Sequence, residues 1–135
     1  MLRQLDGKTL VGGQIAPADL PQFKQEGVTL LVNNRPDNEE PGQPLSAEFE
    51  RAAAEAGIEY RHIPIVRGIG PAEVEAMREA LTSVTNGKLL AFCRSGYRST
   101  LCWAVACREE GRSREEVERC AAAAGFSLTP IDHLL

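Results

Sequence analysis

The chain has 135 residues, 43% of them hydrophobic and 25% charged, with a formal net charge of −4. That is one domain's length with a globular composition, which excludes a disordered or fibrous chain, and an acidic balance without blocks of like charge excludes general nucleic-acid or polyanion binding. The basic residues are uneven, twelve Arg against three Lys, and the planar guanidinium fork suits bidentate anion contacts, so a local anion site stays open.

No apolar run approaches the roughly 20 residues of a membrane helix, and Met1 to Gly7 lacks the apolar centre of a signal peptide. A single cytoplasmic domain spanning residues 1–135 is expected, with no membrane partner. Cys93, Cys102, Cys107 and Cys120 make no CxxC pair and no zinc-type set with His62 and His133. Free thiols, no metal and no cofactor are therefore expected.

In chain order, Leu10 to Gln14 predicts a short strand and Pro17 to Gln25 a helix with proline near its start. The β-branched apolar run Val28 to Asn33 predicts a strand buried on both faces, with polar Asn33-Asn34-Arg35 marking where the chain leaves the core. The Pro-rich acidic stretch Arg35 to Pro44 predicts a long loop. Ser46 is placed to cap a helix over Ala47 to Ala56 that Gly57 stops. Ile58 to Ile65 alternates as a half-buried strand near a sheet edge, because Pro64 cannot donate to a ladder. Pro71 opens a helix with Val74, Met77, Leu81 and Val84 inward and Gly87 after it. Lys88 to Phe92 is a strong strand that runs into Cys93, and a helix begins near Tyr97 and continues to Gly111. Ser113-Arg114-Glu115-Glu116 predicts a capped helix ending near Gly125, and Thr129-Pro130 a short final one. Strands alternating with helices predict an α/β domain with a central, mostly parallel sheet of four to five strands flanked by helices.

The chemistry concentrates in Phe92-Cys93-Arg94-Ser95-Gly96-Tyr97-Arg98-Ser99-Thr100, a cysteine at a strand end followed by a tight loop and a helix. Loop N–H groups and the helix N-terminus favour an anion or thiolate there. Gly96 permits a positive φ, Arg98 can fork onto two oxygens of an oxyanion, and Ser99 can donate to the sulfur. Cysteines in such surroundings are nucleophilic thiolates at neutral pH. Cys93, Arg98 and Ser99 are the candidate catalytic residues; Arg94, Ser95, Gly96 and Tyr97 form the candidate anion-binding loop.

The segment resembles the active-site loops of two cysteine-dependent groups, the tyrosine and dual-specificity phosphatases with Cys-x5-Arg and the rhodanese sulfurtransferases with a shorter Cys-Arg-x-Gly-x-Arg. Cys93 to Arg98 is Cys-x4-Arg, the rhodanese length. Gly12-Gly13-Gln14, Asn33-Asn34-Arg35-Pro36-Asp37 and Tyr60 to Ile65 instead resemble the phosphatase fold. The hybrid is similar to the bacterial beta-lactamase-hydrolase-like, phosphatase-like domain family, from about Leu10 to Ala124. That resemblance implies a tyrosine-phosphatase fold and a cysteine nucleophile, with phosphatase or sulfurtransferase activity, and a functional link to a persulfide-metabolising enzyme of metallo-beta-lactamase fold.

A phosphatase wants a general acid, which that superfamily carries on the loop after the Tyr60 to Ile65 strand. Val66-Arg67-Gly68-Ile69-Gly70-Pro71 has no carboxylate there. Asp37, Glu39 and Glu40 could substitute, or form a solvated acidic loop. The shorter loop and missing acid favour sulfur transfer through a Cys93 persulfide from a sulfane donor to a thiol acceptor. The alternatives are phosphoester hydrolysis through a Cys93 phosphocysteine and a non-catalytic oxyanion-binding or redox-sensing module. Arg35 and Asp37 are candidate pocket residues, or a simple pair. Cys102, Cys107, Cys120 and Trp103 are expected in the core, with Cys102 and Cys107 as the alternative resolving thiols, and His62 in a structural role.

Overall fold

A computed structural model describes residues 2–135; Met1, the first residue of the Met1 to Gly7 stretch read above, lies outside the described residues. The strands are β1 (Leu2–Asp6), β2 (Thr9–Gly12), β3 (Val28–Asn33), β4 (Glu59–His62) and β5 (Lys88–Phe92), and the helices are α1 (Leu20–Gln25), α2 (Ser46–Ala56), α3 (Pro71–Ser83), α4 (Tyr97–Glu109) and α5 (Arg114–Ala123). Short 3-10 turns cover Pro17–Asp19 and Thr129–Leu134. The five strands form one sheet in the order β1-β2-β5-β3-β4, parallel except for the antiparallel β1–β2 pair. The α/β architecture is as expected.

The period-2 alternation of β5 divides the core. Leu89 and Ala91 face α3, α4 and α5, together with Met77, Trp103 and Val117. Leu90 and Phe92 face α1 and α2, where Phe49 packs on Phe92 with ring centroids 4.9 Å apart. The central position of β5 buries it on both sides, so the loop at its carboxyl end is held by the most rigid part of the sheet.

Three expectations need correction. Sequence patterning missed β1, whose single fully core-facing residue is Leu5; an Asp6-Gly7 turn, with Asp6 Oδ1 accepting from the Lys8 N–H at 3.0 Å, folds it onto β2. Helix α2 starts one residue early, with Leu45 as its N-cap and the Glu48 carboxylate accepting from the Leu45 N–H at 2.8 Å. Asn33 and Asn34 do not leave the core: both are buried, and their side chains tie neighbouring segments together.

Candidate active site

Cys93 follows β5 directly and is fully buried, with its N–H donating to the Gly12 carbonyl at 3.2 Å. The chain then turns through Arg94 and Ser95 into α4. Gly96 takes φ 91°, a left-handed value that a side chain would strain, and its N–H donates to Cys93 Sγ at 3.1 Å. The turn also needs Gly13, just after β2: a Cβ there would meet the Arg94 carbonyl oxygen at 3.0 Å. The sulfur therefore sits at the N-terminus of a thirteen-residue helix with a backbone donor already on it.

Arg98, on the first turn of α4, is clamped from one side. Its Nη1 donates to Glu39 Oε2 at 2.8 Å and to the Ile65 carbonyl at 3.0 Å, and its Nη2 donates to Glu39 Oε1 at 2.8 Å. A guanidinium has five N–H donors, so the Nε–H and one Nη2–H remain, and they form the edge of the fork used for two oxygens of an oxyanion. Cys93 interacts electrostatically with the same guanidinium.

Glu39 is itself fixed by Arg35, which is only 2% exposed and donates to Glu39 at 2.7 Å, to Glu40 at 2.7 Å and to Gln14 at 2.6 Å. Hydrogen bonds and charge from Arg98 and Arg35 hold the Glu39 carboxyl down at about 2, below the ordinary carboxylate range. Glu40 pairs with Arg35 and, at 3.6 Å, with the exposed Arg94. Three guanidinium groups and two carboxylates thus form one ion-pair cluster with a net charge of one positive.

The structure brings Cys93, Arg94, Gly96 and Arg98 together, with Arg35 supporting Arg98 through Glu39. Other expected residues play different parts. Ser99 donates its hydroxyl to Asn34 Oδ1 at 2.7 Å, not to the sulfur; Asn34 in turn donates to the Ile63 carbonyl at 2.9 Å, locking α4 to the strand ends. Ser95 is exposed and accepts from the Tyr97 N–H at 3.4 Å. Tyr97 turns toward Phe126, with ring centroids 5.6 Å apart, and donates to the Ser127 carbonyl. Arg35 does not pair with Asp37, which instead accepts from the Ser46 N–H at 2.8 Å at the start of α2. The His62 Nε2–H donates to the Arg35 carbonyl at 2.7 Å, a structural role. Cys102 and Cys107 lie in the core, where burial pushes both thiols up to about 12. Glu39, expected as a substitute acid or a solvated loop residue, instead bridges Arg35 and Arg98; the signal for that role was an acid beside an Arg-Pro turn, four residues after Arg35.

The sequence model for "Beta-lactamase hydrolase-like protein, phosphatase-like domain" matches residues 1–111. The chain belongs to that family. A beta-lactamase hydrolase-like protein of Xylella fastidiosa is 32% identical over 126 residues, which cover 92% of this chain and 29% of that protein. The chain thus spans less than a third of the length of the curated relatives it matches. Among solved structures, a candidate phosphatase from Neisseria meningitidis is 32% identical, with TM-score 0.82 over 98% of this chain and 97% of that one. The active form of Tk-PTP shares the fold at 19% identity, with TM-score 0.72 over 95% of this chain and 87% of that one. The domain is phosphatase-like, on a tyrosine-phosphatase fold. Among the described residues, no helix is long and apolar enough to cross a membrane.

Proposed function

We propose that the domain is a cysteine-dependent hydrolase of phosphatase type. In the first step the Cys93 thiolate attacks the phosphorus of a monoester held by the free edge of Arg98 and the loop N–H groups. An S–P bond forms, the ester P–O bond breaks, and the leaving oxygen departs with the electron pair. In the second, water attacks the phosphocysteine, the S–P bond breaks, and inorganic phosphate and the thiolate are released. The observation that carries this reading is the convergence of Cys93, the Gly96 N–H and a clamped Arg98 at the start of α4. It is supported by membership of a phosphatase-like family.

One observation favours sulfur transfer as a second reading. Each carboxylate flanking the site is held as a structural acceptor: Glu39 by two arginines, Glu40 by Arg35, Asp37 by the α2 N-terminus and Glu73 by the Gly70 N–H at 2.8 Å. None is placed as a proton donor to a leaving oxygen. Sulfur transfer needs none: the thiolate attacks the sulfane sulfur of thiosulfate, an S–S bond forms, the original S–S bond breaks and sulfite leaves, and a thiol or cyanide then takes the outer sulfur. Aryl-phosphate hydrolysis and thiosulfate-to-cyanide transfer, measured side by side on wild type and Cys93→Ser, separate the readings. Hydrolysis without transfer supports the first, and transfer without hydrolysis replaces it with the second. Phosphate binding with neither activity leaves an oxyanion-binding module. Activity surviving in Cys93→Ser refutes both catalytic readings.

A further inference from the structure

A cleft of about 630 Å³ lies beside the anion site and is unused by the chemistry described so far. One wall is the loop from Ile65 to Gly70, another is α4 at Arg98 and Leu101, and the third is the turn Pro130–Leu134. Two residues join the cleft to the anion site: Arg98 lines it, and so does Ile65, whose carbonyl accepts from Arg98. The lining is mainly aliphatic, from Ile65, Ile69, Leu101, Ile131 and Leu134, with Arg67, Glu73 and Arg98 as charged members and His133 beside Leu134. Glu73 is engaged with the Gly70 N–H. Leu134, in the third wall, remains 40% exposed, apolar surface left open in the cleft. An oxyanion held by Arg98 and the loop needs no such space, whereas pockets of roughly 300–1,000 Å³ hold whole small molecules.

The third wall is built rather than frayed. Ile131 inserts into the α3–α5 core, Arg108 donates from Nε and Nη2 to the Leu135 carbonyl at 3.1 and 2.9 Å, and Arg114 pairs with Asp132 at 2.7 Å. This turn lies beyond the residues 1–111 that the family model matches. We infer that the cleft receives the apolar, aryl-sized part of a substrate whose oxyanion sits on Arg98, and that the C-terminal turn sets this preference. The inference rests on the oxyanion-binding half of the proposed function and requires no turnover.

Non-hydrolysable probes test it on the wild-type chain: naphthylphosphonate against methylphosphonate, followed by calorimetry or NMR titration. Burying an aryl group should tighten binding on the order of tenfold or more over the methyl probe. Leu134→Asp, at an exposed position, and Ile69→Ser, on the opposite wall, should each bring that ratio toward one, with thermal melts confirming that the variants fold. Equal binding of the two probes by wild type, no binding of either, or a ratio that survives both substitutions overturns the inference. A naphthyl preference without aryl-phosphate hydrolysis leaves the cleft standing and removes the phosphatase reading. Hydrolysis without the preference does the reverse.

Discussion

Glu39→Gln removes a charge that sits between two arginines, and its consequences can be worked from the geometry. The native carboxylate accepts from Arg35 Nε at 2.7 Å and from both Arg98 Nη groups at 2.8 Å. A carboxyl held at about 2 rather than 4.5 corresponds to about 3 kcal/mol. Discounting for solvent screening of a side chain that is 29% exposed leaves about 1–2 kcal/mol. Because the folded-state value is depressed, this stabilisation is complete above about pH 4.5 and is lost as the pH falls toward 2. Urea or thermal melts should therefore show Glu39→Gln melting lower by roughly 3–8 °C at pH 7, with the gap closing in acid. Released from its clamp, Arg98 loses the orientation of its free edge, and kcat/KM should fall on the order of 10- to 100-fold. A variant that turns over faster than wild type would show Glu39 acting as a brake on Arg98, and a stability gap unchanged between pH 7 and pH 2.5 would refute the charge argument.

Other changes probe the scaffold under the site. Ser99→Ala orphans the buried Asn34 Oδ1 and should cost about 1–3 kcal/mol in urea unfolding; an unchanged midpoint would mean that this bond does not tie α4 to the strand ends. Gly13→Ala places a Cβ 3.0 Å from the Arg94 carbonyl oxygen, so kcat/KM should drop roughly tenfold as the loop shifts, with full activity counting against close packing of the two segments. With both thiols pushed up to about 12 by burial, Cys102 and Cys107 should resist alkylation at pH 8 until the chain unfolds, as peptide mapping would show. Labelling of either at the denatured-state rate would place it outside the core.

Local patterns were enough wherever local bonds decide the outcome. Helix α3 is legible from Pro71 and its inward Val74, Met77 and Leu81, and α5 from Ser113, whose hydroxyl accepts from the Glu116 N–H at 3.1 Å. Both depend on groups three or four residues apart. Strand β5 and the loop after it are equally plain, because an apolar run ending in Cys93, Gly96 and Arg98 encodes a strand, a left-handed turn and a helix start in consecutive residues. Strand β1 was not legible: it buries little and exists through its antiparallel ladder with β2, a partner that its own pattern does not name.

By itself the amino-acid order determined the alternation of strands and helices, the cysteine at the end of β5, and the arginine on the first turn of α4. Tertiary structure alone decided what surrounds them. It set Glu39, 59 residues away, against Arg98, gave the Ser99 hydroxyl to Asn34, 65 residues away, and brought the C-terminal turn to the wall of the cleft. Backbone periodicity is a local property, but which carboxylate meets which guanidinium depends on how β3, β5 and α4 pack, and that packing turned an apparent acid loop into a clamp.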